Sequence, residues 1–411
     1  MTDSGIASDH PGTREIGHRD RSPGGNDLNI CFVAHFAYGA LAGDPGGHIG
    51  GVERQTALMA RWLAGRGHTV SVCTWQEGAP GDETVGGVRV LKTCEADAGL
   101  PLLRFLHPRW TSLTAALRRA DADLYYHNCA EAITGQTALW AKLHGRRFVY
   151  SVASDPETDP ALPILGSLRE RVLYRRGLRL ADGIITQTQG QRDNLRRGFG
   201  LEATVLPMPS DACAGTTLAC LESARTAPRV VWAGRIAPVK NLELFLDLAR
   251  QLPEVGFDLV GGADQDADYA ARMLGQAQAL ANVTVHGRLD REAVLQRYRH
   301  AALLLCTSHY EGFPNTFLEA WAHGLPVVST VDPDGVLTRE GIGIHATSAA
   351  TLAAAIAKLA GRTGDRQAMA ARAWAYYYSN HHVSGAMPRF EAYLTTRMRN
   401  GREAGANRES D

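Results

Sequence analysis

Two carboxylates, Glu311 and Glu319, and two cations, Arg235 and Lys240, are the residues from which the chemistry of the chain can be read. The carboxylates fall in the stretch 308–330, SHYEGFPNTFLEAWAHGLPVVST. Pro314 suits the first helical turn, where its missing amide hydrogen is not needed, and Gly324 and Pro326 suit the stop. Glu311 then lies in the loop before the helix. Asn315, Glu319 and His323 follow at four-residue steps and share one face, while Phe317, Leu318, Ala320 and Trp321 supply apolar surface elsewhere. A helix that starts directly after a strand, predicted over 302–306, presents free amides and the positive end of its dipole, which together make an anion site. The anion it suits is a phosphate. Arg235 directly follows the apolar stretch 229–233, and Lys240 stands five residues further on at a helix start, so one loop can close both cations on a diphosphate. Taken alone, the pair reads equally well as solvated surface charge.

The elements that must position these groups are those of an α/β protein. At 411 residues and 45% hydrophobic content the chain predicts two globular domains. A formal net charge of zero and a pI near 7.3 supply no whole-chain field for nucleic acid. Seven cysteines form no CxxC pair, and Cys31, Cys73 and Cys306 sit in apolar runs; the expectation is reduced, buried thiols, no zinc site and a cytoplasmic protein. No apolar run reaches the roughly 20 residues of a membrane span, and no signal-peptide core opens the chain.

Along the chain, 1–27 is polar and expected to be disordered. A strand at 29–34 leads into a glycine-rich loop ending HIGGVER, then a helix over 52–65 and a strand over 69–74. Such units imply a parallel sheet with ligands at the carboxyl ends of its strands. Strands are predicted at 88–92, 123–126, 147–152, 183–188 and 203–206, with helices between them. This gives a first domain over 28–206, a linker over 207–228 and a second domain over 229–378 with the same rhythm. A helix over 379–400, with Met387, Phe390, Tyr393 and Leu394 at helical spacing, is expected to return to the first domain, and 401–411 to be a disordered tail.

In this order and spacing, GGVER, AGRIAPVKN and EGFPNTFLEAWAHGLPVV resemble the retaining GT-B glycosyltransferases of the glycogen-synthase-like group, family GT4. The resemblance implies two Rossmann-like parallel-sheet domains facing a cleft. It further implies a nucleoside-diphosphate sugar held mainly by the second domain, a hydroxyl acceptor, retention of configuration and no divalent metal or other cofactor. Arg235 and Lys240 would grip the diphosphate and Glu319 would accept hydrogen bonds from ribose hydroxyls. Glu311 and His127 would lie beside the donor sugar. At the start of the helix the amides of Gly312, Phe313, Asn315 and Thr316 would face the sugar or phosphate, with Pro314 among them lining the donor site, and Gly50 and Gly51 would let backbone approach the phosphates. The nucleobase would rest on Gly287, Arg288 and Leu289. Retention in this family is viewed as front-face attack, so no nucleophile is assigned. Paired carboxylates also serve in glycoside hydrolysis, but here one of them sits on a helix whose start should hold an anion.

Other residues carry weaker readings. His127, at the end of the predicted strand 123–126, is equally a satisfied structural histidine. Asp155 faces the expected cleft, but a turn carboxylate before Pro156 is the plainer reading. In Asp264-x-Asp266 the simple role is a helix cap. Arginines crowd 169–197 (Arg169, Arg171, Arg175, Arg176, Arg179, Arg192, Arg196 and Arg197), either as a solvated face or as a surface for anionic lipid on the inner face of a membrane. Two rival functions remain, a nucleotide-sugar epimerase of the same architecture and a non-catalytic sugar-nucleotide or glycan binding protein.

Overall fold

The computed structural model describes residues 27–43, 50–101, 103–212, 229–263, 266–361 and 363–406. Residues 1–26 and 407–411 of the predicted tails, most of the linker and Asp264 lie outside them, whereas 401–406, expected as part of a disordered tail, continue the last helix. The first domain runs β1 (Asn29–Val33), α1 (Tyr38–Ala42), α2 (Gly51–Gly65), β2 (Thr69–Thr74), β3 (Glu83–Val85), β4 (Val88–Lys92), α3 (Thr111–Ala120), β5 (Leu124–Asn128), α4 (Ala132–Leu143), β6 (Arg147–Ser151), α5 (Leu168–Leu180), β7 (Gly183–Thr186), α6 (Gln189–Phe199) and β8 (Thr204–Val205). The second runs β9 (Arg229–Ala233), α7 (Leu242–Gln251), β10 (Gly256–Val260), α8 (Ala267–Gln278), β11 (Val283–Gly287), α9 (Arg291–His300), β12 (Leu303–Cys306), α10 (Asn315–Ala322), β13 (Val327–Ser329), α11 (Val336–Glu340), β14 (Gly343–His345), α12 (Ala349–Gly361) and α13 (Thr363–Asn380). A final helix, α14 (Val383–Ala406), follows.

The sheets are ordered β3-β4-β2-β1-β5-β6-β7-β8 and β11-β10-β9-β12-β13-β14. All recorded pairings are parallel except β3 with β4. Each sheet reverses direction beside its first strand, β1 against β5 and β9 against β12. In open α/β sheets the ligand crevice lies outside the carboxyl ends of the strands at that switch point. Arg235 follows β9, Ser308 and Glu311 follow β12, and His127 ends the β1–β5 pairing opposite Val33.

Side-chain alternation builds the core. In β1, Cys31 and Val33 enter a cluster with Leu117 and Trp140, whereas Ile30 and Phe32 enter one with Leu63, Phe390 and Leu394. The second cluster fulfils the expectation for the C-terminal helix: Met387, Phe390, Leu394 and Met398 of α14 are buried in the first domain's core. The start of the crossing between domains is pinned, since Ser210 N–H donates to the His381 carbonyl at 2.8 Å and Val383 N–H to the Ser210 carbonyl at 3.0 Å.

Candidate active site

Lys240 and Glu311 meet at the second switch point. A short 3-10 turn, Pro238–Lys240, follows β9 and presents the lysine. Its Nζ donates to a Glu311 carboxylate oxygen, which also accepts the Ser308 hydroxyl at 2.6 Å. The two loops are stitched together: Thr307 donates to the Lys240 carbonyl at 2.7 Å, Trp232 Nε1 donates to the Thr307 hydroxyl at 3.1 Å, and His309 N–H donates to the Val239 carbonyl at 2.9 Å. Lys240 and Glu311 retain 24% and 16% side-chain exposure, so the pair borders the cleft without being solvated. A small hollow there is lined by Lys240, Ser308, Glu311 and Thr316. Arg235 stands exposed earlier in the same loop, between β9 and that turn.

Pro314 is the N-cap of α10, one position earlier than the sequence implied, with extended backbone (φ −63°, ψ 121°). The first-turn amides of Asn315 and Thr316 therefore have no intrahelical acceptor by geometry. The amide of Phe313 does not belong to this set: it donates to Gln187 Oε1 of the first domain at 2.7 Å, not toward a sugar. Gly312 pairs in a bridge with Ser154, and a side chain on it would collide with the Ala153 carbonyl. Gly51, the first residue of α2, lies so near Asn315 that a side chain there would strike its amide, while Gly50 caps α2. Two helix starts thus face each other across the cleft.

Glu319 occupies the second turn of α10. It accepts the Tyr298 hydroxyl at 3.1 Å and pairs with Arg54 of α2 at 3.5 Å. Burial pushes its carboxyl up, opposed by Arg54 and Arg291. His323, expected on the same polar face, is fully buried, with Nδ1 on the Glu319 carbonyl at 2.8 Å. It ends the helix and packs in the core.

His127 lies within β5 and not after it, because its ladder with Tyr150 continues to Asn128 opposite Ser151. The ring is 3% exposed and burial holds it down to about 4, so it is neutral. Its Nδ1 lies 2.7 Å from the Val33 carbonyl, which can only accept; the proton is therefore on Nδ1, and Nε2, with no partner among the described residues, is a pure acceptor. Asp155 accepts from Gln191 Nε2 at 3.0 Å, and burial, with Asp334 and Glu311 nearby, pushes it up to about 6. Gly287 ends β11 with its carbonyl committed to Gly261 N–H at 2.9 Å, beside Arg288 and Leu289. Asp266 caps α8 through the Tyr269 amide at 2.8 Å. Among the described residues no group of three or more His, Cys, Asp or Glu is arranged to hold a metal ion.

Sequence reasoning missed four residues that complete the cleft. Gln187 holds the Phe313 amide, and Asp334 receives the Gln189 and Gly190 amides at 2.7 and 3.0 Å, a carboxylate of the second domain on the start of α6. Arg54 was in view within GGVER. Glu157, buried and pushed up to about 7, ties the loop carrying Ser154 by accepting from Tyr150, Ala153 and Ser154 at 2.5, 3.1 and 3.1 Å.

Residues 50–209 match the family model described as glycosyl transferase 4-like domain, and 227–362 that described as glycosyl transferases group 1. Over 172 residues the chain is 30% identical to D-inositol 3-phosphate glycosyltransferase of Xylanimonas cellulosilytica, covering 36% of this chain and 40% of the relative. Over 152 residues it is 25% identical to poly(glycerol-phosphate) alpha-glucosyltransferase of Bacillus subtilis, covering 36% of this chain and 22% of the relative. The chain thus spans less than half the length of the curated relatives it matches. In fold it is similar to Anabaena HepE in complex with UDP and glucose (TM-score 0.71, 18% identity, 90% of this chain and 99% of that one). It is likewise similar to sucrose-phosphate synthase of Thermosynechococcus elongatus (TM-score 0.73, 18% identity, 89% and 98%).

Proposed function

The chain belongs to the glycosyl transferases group 1 family, the glycogen-synthase-like GT4 group with the GT-B fold, and from that premise we propose that it transfers a hexose-type sugar from a nucleoside-diphosphate sugar to a hydroxyl, with retention and without a divalent metal. The observation that carries this reading is the Lys240–Glu311 pair at the mouth of a switch-point hollow also lined by Thr316 of the α10 start. The cation and the first-turn amides meet the charge that develops on a departing diphosphate. Arg235, exposed in the same loop, adds a second cation. Glu319 takes the ribose hydroxyls, and the acceptor-only Nε2 of His127 takes a hydroxyl of the sugar. The leaving phosphate helps remove the acceptor's proton as the hydroxyl attacks from the same face, so no protein nucleophile is used. The complex of a structural neighbour with UDP and glucose supports a nucleotide-sugar donor. Thermal shifts with UDP, GDP, ADP and dTDP and their glucose conjugates test the reading, since a ligand that binds the native state raises its apparent stability. No shift with any of them defeats it. Free sugar formed from donor without acceptor would favour the epimerase, and loss of activity in EDTA would reopen the metal question.

The arginine-rich face belongs to the same proposal, resting against anionic lipid beside the acceptor's entry. Arg196 and Arg192 are paired with Glu202 and Asp193, which weakens the α6 part of the face. On α5, however, exposed Leu168 and Val172 adjoin Arg169, whose guanidinium lies 3.7 Å from the Phe105 ring centroid, in a segment that also exposes Leu100, Leu103 and Leu106. Apolar side chains beside cations suit the headgroup boundary of a bilayer. No helix among the described residues is long and apolar enough to cross a membrane. Co-sedimentation with phosphatidylglycerol vesicles should exceed that with phosphatidylcholine, and Leu103→Glu should abolish it; equal binding to both removes the membrane part alone.

A further inference from the structure

The cleft wall opposite Glu319 is made by the first domain, and Arg54 stands on it in the first turn of α2. Its Nη1 lies 3.5 Å from Glu319 Oε1, while Glu319 Oε2 accepts the Tyr298 hydroxyl at 3.1 Å. The hollow between the domains is lined by Gly51, Arg54, Asp211, Arg291, Asn315 and Glu319. Among the described residues, the charged and titratable groups facing this carboxylate are Arg54 from α2, Arg291 and Tyr298 from α9, and Asp211 from the crossing segment; the His323 ring, at the end of its own helix, contacts the Glu319 backbone carbonyl. Arg291 is committed to Asp211 at 2.6 Å. Among the described residues, Arg54 is the cation recorded in an ion pair with Glu319, and the two side chains are 34% and 13% exposed.

A carboxylate that is to accept two ribose hydroxyls must be ionised, because the protonated form turns one oxygen into a donor. Burial works against ionisation here, and the opposing cation comes from the other domain. We propose that Arg54 is a positioning residue: across the closed cleft it pins the Glu319 carboxylate in the orientation and charge state that receives the donor's ribose. The acceptor-side domain thereby completes the donor site. This inference rests on the assignment of Glu319 to the ribose.

The test is calorimetric titration with whichever of UDP-, GDP- and ADP-glucose stabilises the chain. The diphosphate diester of these donors does not titrate in the working range, so an acid limb in affinity reports the protein. Binding is followed from about pH 5.5 to about pH 8.5 for the wild type, Arg54→Gln, Arg54→Lys and Glu319→Gln. Arg54→Gln should move the acid limb up by about one pH unit, which is about tenfold weaker binding below the limb. Near the alkaline end the loss should be small, and Arg54→Lys should restore most of the shift. Glu319→Gln should bind weakly at every pH with no limb. Melting temperatures without ligand separate folding defects from these effects. If the Arg54→Gln limb coincides with the wild type while Glu319→Gln is weak and flat, Arg54 has no positioning role and the ribose assignment stands. If Glu319→Gln binds like the wild type, the ribose assignment falls, and this inference with it.

Discussion

Replacing Lys240 with alanine should strand one charge and remove another's partner. In the resting site Nζ donates to Glu311, and the Ser308 hydroxyl bonds the same oxygen at 2.6 Å. With Glu311 only 16% exposed, the variant leaves a mostly buried carboxylate with a hydroxyl as its remaining recorded partner. Loss of a charge-assisted contact to the departing diphosphate costs about 2–4 kcal/mol, which is roughly thirty- to thousandfold in kcat/KM. The cation meets the diphosphate before and after transfer, so calorimetry with the free nucleoside diphosphate should show weaker binding as well as a slower rate. The pair also predicts non-additivity. Lys240→Ala/Glu311→Gln removes the stranded charge, so the double variant should melt above Lys240→Ala by roughly 1–3 kcal/mol of stability. Unchanged diphosphate binding by Lys240→Ala would refute the assignment, whatever happened to the rate. Equal melting of the single and double variants would refute the energetic account of the pair.

Three further outcomes follow from other groups. Because Nε2 of His127 can only accept, a donor whose sugar hydroxyl facing it is replaced by fluorine should bind the wild type about fivefold more weakly, the worth of one neutral hydrogen bond; His127→Ala should bind both donors alike, and a fluoro donor that still discriminates against the variant would exclude the contact. Asp334→Ala should free the Gln189 and Gly190 amides, lowering stability by about 1 kcal/mol and raising the radius of gyration of the unliganded protein in solution scattering, whereas unchanged scattering would show that this contact does not hold the domains together. Finally, Glu157 and Glu131 are both pushed up to about 7, chiefly by burial. The native state therefore holds protons that the unfolded chain releases above about pH 4.5. The sign is fixed: these groups favour the fold at low pH, and their contribution is lost as pH rises toward 7. Glu157→Gln should flatten the fall in melting temperature between about pH 5 and about pH 7, and an unchanged slope would sink that attribution.

The order of strands and helices was legible because each element buries its own apolar set, and that set is written locally. The strand 69–74 appears with the predicted bounds. What escaped was decided by neighbours. β5 extends through His127 and Asn128 because β6 offers Tyr150 and Ser151 as ladder partners, which neither polar residue signals by itself. β3 and β14, three residues each, have mixed patterns and exist by pairing with β4 and β13. Within the site, the stretch from Glu311 to Glu319 could be read because helix-start chemistry is local. Gln187, 126 residues from Phe313, and Asp334, 145 from Gln189, could not, since their contacts are products of closure. Arg54 carries a signal in the sequence, since it lies one turn into the helix that the glycines of GGVER open.

The contacts that join the two domains divide by kind, and the division bears on turnover. Across the cleft, among the described residues, they include polar pairs: Phe313 on Gln187, Gly312 against Ser154, Asp334 on the start of α6, and Arg54 with Glu319. Each is worth about 0.5–1.5 kcal/mol net, because water replaces it when the cleft opens. The tie made by α14 has an apolar body, with Met387, Phe390, Leu394 and Met398 at 0–4% exposure inside the first domain's core beside a Glu391–His68 contact at 2.7 Å, and burying even one such apolar side chain is worth about 1.5–3 kcal/mol. One attachment is therefore permanent and the other reversible. A site that must admit a bulky donor, exclude water during transfer and then release a diphosphate needs that arrangement. It follows that polar substitutions on the cleft walls should act on opening and product release, whereas Phe390→Ala should act on the stability of the whole chain.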